Sequence, residues 1–584
     1  MRMAFMEVAL LKDYGHIRNV YGTLLADLSI RQDLSALTKG LAAEASVSFD
    51  NIGGMNETTN KEYRYMNSNA SITSDGTLVT TPAIYGTDSE TLGHTQPFER
   101  LMLRSDFQAK VDYNRTFGKH QVGGALIYDM QSVVKNGRNN SQKNQSVLVN
   151  ATYTYDNRYS LNAVFNRSGS AYLPDGDKYS NYPAVSAAWI VSNEAFMEKV
   201  TPINLFKIRA SYGLSGWDGN LSHELWRQSY GSGGAGYNFG VNAGGQFGGS
   251  EGDLPVIGLV AEKSQKATFG FDLAAFDNRL NATVEGFYEK RSDILVSGAN
   301  STSGIIGITV GQVNEGIYKY KGLDASLSWN DKIGDFHYGI GASMSYLNTE
   351  VVNVNQAYQE YDYLYTKGNR IGQMYGLEAI GFFNSQQEIN NSPLQTFSDV
   401  APGDVKYKDQ NGDNRIDEKD VVKMFGSSVP RFYFGFNLNF SYKRLELSAD
   451  FQGMTGVTVS LLNSPLYSPL VSNGNISNTF LNEEISWTPE NKANATMPRL
   501  TTQENLNNYR ASSLWYRDGS FLKLRNLLVA YTFPKSQTRF ADLKVFVQGT
   551  NLFSLDNLHF ADPEQLGIAY PSTRSYWAGI KLNF

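Results

Sequence analysis

The sequence predicts an all-β chain, a transmembrane antiparallel β-barrel with long extracellular loops, and three observations carry that prediction. Aromatic residues make up 13% of the 584 residues and charged residues only 18%, against roughly 25% charged in soluble domains. Apolar and polar residues alternate in runs of about ten, the length at which a tilted strand crosses a bilayer. The connections between these runs alternate short and long, as they do where periplasmic turns oppose extracellular loops. The chain also exceeds the size at which one soluble core stops growing, and a single wide barrel accommodates that length.

The clearest run is RFYFGFNLNFSY, beginning at Arg431. Phe432, Phe434, Phe436, Leu438 and Phe440 fall on one strand face, with Tyr433, Gly435, Asn437, Asn439 and Ser441 on the other. After a turn at Tyr442 to Arg444, the residues Leu445, Leu447, Ala449 and Phe451 resume the apolar face and complete a hairpin. Leu323, Ala325, Leu327 and Trp329 are expected to pair, across the turn NDKIGD, with Phe336, Tyr338, Ile340, Ala342, Met344 and Tyr346. A third hairpin joins Phe269, Phe271 and Leu273 to Leu280, Ala282 and Val284 across Asp277 and Asn278. The upstream segments SDFQAKVDYNRTF, QSVLVNATYTYD and RYSLNAVFNRS alternate in the same way. The last residues, RSYWAGIKLNF, place Tyr576, Ala578, Ile580, Leu582 and Phe584 on one face, as suits a terminal strand docked by β-augmentation during assembly.

Long connections are expected at Asn348–Pro430, Gly453–Gly519 and Ser554–Thr573, and short ones at Asn330–Asp335, Tyr442–Arg444 and Pro534–Ala541. A soluble sandwich accounts for any one hairpin but not for this alternation of loop lengths. No run of 18 apolar residues exists, so a helical membrane span is excluded. A net charge of -6 without a basic patch argues against nucleic acid. The absence of cysteine fits an envelope protein without disulfides, and chance explains it equally well.

Nothing points to catalysis. His16, His94, His120, His223, His337 and His559 are scattered, and no G-x-S-x-G or H-E-x-x-H is present. Gly231, Gly233 and Gly236 match G-x-G-x-x-G, but no strand precedes them and no helix follows, so a surface loop is expected rather than a dinucleotide site. Trp217, Trp226, Tyr230 and Tyr237 cluster in one loop and Tyr358, Tyr361, Tyr363 and Tyr365 in another. Such rings stack on sugars, line membrane girdles, or pack beneath a protein lid.

The segment KYKDQNGDNRIDEKD sets Asp409, Asn411, Asp413, Asp417 and Asp420 at loop positions 1, 3, 5, 9 and 12, with the Arg415 carbonyl at position 7. That spacing of oxygens is how a chain wraps one calcium ion. Asp and Asn with Gly also make ordinary turns, but carboxylates this crowded repel one another without a cation. Asn414 stands at position 6, where Gly is usual, and tolerates the left-handed backbone needed there. Asp420 replaces the usual bidentate Glu, and no flanking helix pair is visible. The expectation is a structural calcium that rigidifies an extracellular loop lacking a core of its own.

The segments FKIRASYGLSGWDGN, EKSQKATFGFDLAAFDNRLNATVEGFYEKRSDIL, GIYKYKGLDASLSW, MYGLEAIGFF, PGDVKYKDQNGDNRIDEKDVV, SFLKLRNLLVAYTFP, FVQGTNLF and the terminal strand together resemble the SusC/RagA family of TonB-dependent outer-membrane transporters, from about Ser29 to Phe584. The resemblance implies a barrel of roughly twenty-two strands closed by an N-terminal plug. It further implies import of oligosaccharides or peptides across the outer membrane, powered by TonB and assisted by a SusD-like surface lipoprotein. The start, MRMAFMEVALLKDYG, is not a secretory signal, and no plug-like segment or TonB box precedes the first strands near Asn19. The expected organisation is an unassigned segment at 1–18, the C-terminal barrel region of a transporter at 19–584, and a calcium loop at 409–420. Such a plug-less fragment would contact outer-membrane lipid and the lipoprotein, and TonB only through the plug. The rival readings are a passive porin and a secreted calcium-dependent glycan-binding sandwich.

Overall fold

The computed structural model describes residues 15–73, 77–96, 98–135, 141–222, 225–237, 246–300, 305, 307–308, 310–463, 485–501, 505–558, 561–565 and 572–584. The segment before Gly15, His223, His559 and the Tyr237 side chain lie outside the described residues. The chain divides into one unit of residues 1–152, 164–182 and 221–225 and a second of 153–163, 183–220 and 226–584.

In the first unit, Gly15–Asp33 pairs with Leu41–Asn60, which pairs on its other side with Phe98–Phe117, followed by His120–Lys135. The first strand begins at Gly15, ahead of the expected Asn19. Gly118 makes the tight turn between the last two strands with a left-handed φ of 57°. The register sets Val47, Phe107 and Met130 in one cross-strand row, and Ala45, Ala109 and Tyr128 in the next. The opposite face carries charge, with Arg31 bonded to Glu44 at 2.9 Å and to the buried Asp112 at 3.0 Å.

In the second unit an antiparallel meander runs through Ile203–Trp217, Glu262–Ala275, Leu280–Ser297, Gln312–Ile333, Phe336–Asn353, Phe432–Tyr442, Leu445–Thr455, Phe521–Phe533, Asp542–Asp556 and Ser575–Asn583. Each strand pairs with its successor, so every hairpin read from the alternation is present. Lys443 turns one hairpin at φ 55°, and Phe276, Asp277 and Asn278 turn another at φ 57° to 64°. The expected turn NDKIGD contracts to Gly334 and Asp335, because the ladder continues as far as Ile333 opposite Phe336. Polar residues at 330–332 mark exposure to water there, while their backbone groups are satisfied by pairing.

Period-two alternation and this register build two unlike faces. Ile340, Leu438, Ala449 and Leu527 align across four strands on one face, and Gly341, Asn437, Asp450 and Asn526 on the other. Phe436 stacks on Phe451 across the ladder with ring centres 4.3 Å apart. The apolar face is open, with Phe432, Leu447, Val529, Val547 and Ile580 all exposed. A sandwich would bury it, whereas a membrane barrel turns it to lipid. Among the described residues no helix is long and apolar enough to cross a membrane.

Short connections at 276–279, 334–335, 443–444 and 534–541 alternate with long ones at 218–261, 298–311, 354–431, 456–520 and 557–574. The strand Gln312–Ile333 has 22 residues, roughly 70 Å of chain, where about ten residues cross the bilayer. The excess length carries the long connections away from the membrane.

Candidate functional site

The long connections 354–431 and 456–520 fold together rather than lying loose. Gln373–Gly376 pairs with Val422–Ser427, Ala379–Phe382 with Val405–Tyr407, and Leu394–Gln395 runs parallel to Arg415–Ile416. These short strands bury Leu377, Val405, Tyr407 and Ile416 in one cluster, and Leu461, Met497, Trp515 and Leu558 form a second. Leu514 packs against both. The expectation that the 409–420 segment sits in a loop without a core is therefore corrected. Its core residues arrive singly or in pairs from distant segments, so no periodicity announces them.

A buried polar network knits the same subdomain. Asp404, fully buried, accepts bonds from Arg499 at 2.7 and 3.1 Å, Asn508 at 2.8 Å, Asn505 at 3.1 Å and the Ala401 amide at 2.7 Å. Gln395 bonds the Val405 carbonyl at 2.8 Å and Asn507 at 2.7 Å, and the Tyr407 hydroxyl donates to the Asn507 carbonyl at 2.7 Å. Burial pushes the Tyr407 phenol well above its ordinary value. Gly403 has φ +95°, and a Cβ there would come within 2.4 Å of the Trp487 ring, so only glycine lets the chain pass at that point. The spacing of Asn505, Asn507 and Asn508 is the one sequence signal that could have pointed to this network.

The 409–420 segment closes on itself. Asp409 accepts from the amides of Gly412 at 2.7 Å and Asn414 at 2.9 Å, Asn411 from Asp413 at 3.1 Å, and Asp413 from Arg415 at 2.8 Å. Asn414 adopts φ 61°, the left-handed conformation expected of position 6. Asp417 and Asp420 form a reciprocal cap on a single turn at Glu418–Asp420, and fully buried Asp420 also accepts from the Gln410 amide at 2.8 Å. Among the described residues no three His, Cys, Asp or Glu side chains are gathered around a common point, and the carboxylates of this segment are instead satisfied by its own amides. The segment is strapped to Glu378 by Gln410 at 2.8 Å and Lys408 at 3.0 Å, and these two bonds hold the Glu378 carboxyl below its ordinary range.

The loop aromatics separate into distinct roles. Tyr363 donates to the Lys419 carbonyl at 2.7 Å and stacks on Tyr361 at 5.3 Å, while Tyr365 bonds the Gln359 backbone. Tyr358 is 86% and Tyr230 72% exposed, so these two present free ring faces. Arg227 covers the Trp226 ring at 4.3 Å. Gly231 and Gly236 lie in the strand Tyr230–Tyr237, paired with Gln246–Glu251, so a strand pair stands where a surface loop was expected.

A charge cluster ties the connection 557–574 to the strand Phe521–Phe533. Buried Lys523 bonds Asp562 at 2.5 Å and Glu564 at 2.6 Å, and Arg525 bonds Glu564 at 2.6 Å. Burial alone would raise both carboxyls, but these bonds outweigh it and hold both below the ordinary carboxylate range. A depressed pKa contributes stability above the unfolded value and loses it as pH falls through the folded one. The clasp is therefore expected to hold at neutral pH and to open below about pH 4. Hydrogen-exchange protection factors at 561–565, taken relative to the intrinsic base-catalysed rate at each pH, check this, and protection that fell on raising the pH from 4 to 7 would contradict it.

The polar face offers a wall for a hydrophilic solute. Arg209 pairs with Glu285 and, at 3.4 Å, with Asp272, and Lys207 lies 3.3 Å from Asp272. A groove of about 560 Å³ beside them is bordered by Asp324, Ser343, Tyr433 and Gln452.

Comparison with known proteins agrees with this architecture, although no established family profile matches the chain. It is 28% identical over 461 residues to TonB-dependent receptor P26 of Formosa agariphila, covering 74% of this chain and 45% of that protein. It is 22% identical over 464 residues to TonB-dependent receptor SusC of Bacteroides thetaiotaomicron, covering 74% and 43%. The chain thus spans about half the length of the curated relatives it matches. Its fold superimposes on the RagAB peptide transporter structure with a TM-score of 0.72 at 17% identity, covering 97% of this chain and 62% of that one. These relatives are receptors and transporters, not enzymes. By sequence and by fold, the chain is an outer-membrane β-barrel protein related to the TonB-dependent receptors of the SusC/RagA type.

Proposed function

We propose that the chain supplies barrel wall and surface loops to a TonB-dependent importer of oligosaccharides or other large hydrophilic nutrients, peptides included. The observation that carries this reading is the continuous register, which holds an apolar face for lipid and a charged, hydroxyl-rich face for solute over the same strands. The folded loop subdomain suits a SusD-like lipoprotein seated above it, and TonB acts through a plug that is not among the described elements. The test is uptake of labelled oligosaccharide and peptide pools by cells carrying the complete protein, with and without TonB. Accumulation that requires TonB supports the reading, and equal leakage in both strains supports the porin instead.

The segment 409–420 is, on this reading, a structural calcium loop. Support comes from the oxygens of Asp409, Asn411 and Asp413, the backbone turn at Asn414, and the Arg415 carbonyl and Asp417 beside them, with buried Asp420 closing the loop. Calcium at a hundred times its Kd would stabilise the loop by about 2.7 kcal/mol. Proteolysis of 354–431 is therefore expected to quicken on chelation in the wild type and to be calcium-independent in Asp409→Ala. Identical cleavage of the wild type with and without chelator would remove the metal from this account.

A further inference from the structure

The groove of about 560 Å³ on the polar face of the second unit is built from two adjoining rows of side chains. Ladder register sets Arg209, Gly270, Glu285, Asp324, Ser345 and Tyr433 in one row. The row beneath it runs through Thr283, Ser326, Ser343, Gly435 and Gln452. Arg209 bonds Glu285 across Gly270, which has no side chain to stand between them. Thr283 bonds Asp272 at 3.1 Å, and Gln452 accepts from Arg525 at 2.9 Å. Asp324, Ser326, Ser343, Ser345 and the Tyr433 hydroxyl, by contrast, have no hydrogen-bond or ionic partner among the described residues. Their bonding capacity is open to a solute.

Tyr433 is 45% exposed, and Gly435, two residues on and on the same side of the strand, has no side chain to cover its ring. Asp324 and Tyr433 lie two strands apart, about 10 Å between backbones, so a ring laid on Tyr433 brings its edge to Ser345 and Asp324. Within the two rows Lys207 and Arg209 face Asp272, Glu285 and Asp324. The rows above and below add Arg431 and Asp450, one of each sign. Beyond Gln452, Lys523 and Arg525 are taken up by Asp562 and Glu564. The surplus is a single negative charge, and donors alternate with acceptors along the groove. A hydroxyl-bearing solute suits that alternation, because each hydroxyl both donates and accepts, whereas an ammonium only donates and a carboxylate only accepts. Tyr433 stands ten residues above the turn at Lys443, roughly 25 Å at a tilt of about 40°. A solute arriving from the side of the long connections therefore meets the groove before it meets the turns.

We propose that this groove is a subsite for an uncharged pyranose, an inference that rests on the import reading above. One sugar ring stacks on Tyr433 beside the gap left by Gly435, its neighbouring hydroxyls donate to the Asp324 carboxylate, and Ser343 and Ser345 complete the contacts.

The complete protein in detergent micelles is titrated by calorimetry with neutral hexasaccharides of glucose, galactose and mannose, with a uronic-acid hexasaccharide, and with neutral and lysine-containing hexapeptides. At least one neutral hexasaccharide is expected to bind, and to bind more tightly than the uronic-acid chain or either peptide. Tyr433→Ala is expected to weaken it about fivefold and Asp324→Ala about tenfold. Tyr433→Phe keeps the ring and should recover most of the loss, and Ser441→Ala, on the same face near the turn, should leave binding unchanged. Heat-modifiable migration on gels reports that each variant is folded. Binding of a peptide in place of every sugar, or of no probe at all, would overturn the pyranose assignment, while TonB-dependent uptake would still uphold import. Equal affinity for the uronic-acid chain would overturn the role of Asp324. Unaltered sugar binding in both folded alanine variants would overturn the groove as the site. Leakage without TonB alongside sugar binding that needs Tyr433 would remove the import reading and keep the subsite.

Discussion

Replacing Phe436 with arginine is expected to destabilise the protein by about 2 to 4 kcal/mol if the residue lies near the bilayer midplane. Phe436 stacks at 4.3 Å on Phe451 and shares its apolar face with Phe434, Leu438 and Phe440. The arginine would place a cation where neither water nor a counter-charge is available. Asn437 is the adjacent residue on the polar face, opposite Asp450, and Asn437→Arg is expected to cost less than about 1 kcal/mol at such a solvated position. Urea unfolding from lipid vesicles compares the two directly. If the asparagine substitution proved as costly as the phenylalanine one, the assignment of faces would be wrong.

The second large effect is expected in the loop subdomain. Arg499→Ala removes the cation from fully buried Asp404 and leaves that carboxylate with only amide partners. Breaking a buried pair in this way costs about 3 to 5 kcal/mol. The loss is local, because the strands of the wall do not depend on this pair. Hydrogen exchange in 401–416 should quicken on the order of 10² to 10³-fold, while Phe432–Tyr442 keeps its protection. Arg499→Lys should recover part of the loss, since it restores charge but not the two-pronged geometry. Unchanged exchange in Arg499→Ala would show that Asn505 and Asn508 suffice to hold Asp404.

The wall was legible before any coordinates because its rule is local. Phe432, Phe434 and Phe436 fall two residues apart, and a strand turns such residues to one side whatever its neighbours are. The turns at Lys443 and at Asp277 and Asn278 were equally readable, since their left-handed conformations favour particular residues. The turn NDKIGD was overextended for a physical reason: its polar residues signal contact with water, and a strand tip above the membrane meets water as a turn does.

The sequence by itself determined the strand faces, the alternation of loop lengths and the oxygen spacing from Asp409 to Asp420. The strand faces and the oxygen spacing are each set by residues within about a dozen positions of one another, and the loop lengths follow by counting between the strands so found. Only the tertiary structure decided that the long loops share a core through Leu514, that Asp404 meets Arg499 across 95 positions, and that the Tyr363 hydroxyl is engaged by Lys419. Those neighbours are made by ladder register and by the closing of long loops, and both depend on the summed packing of many strands rather than on any local repeat.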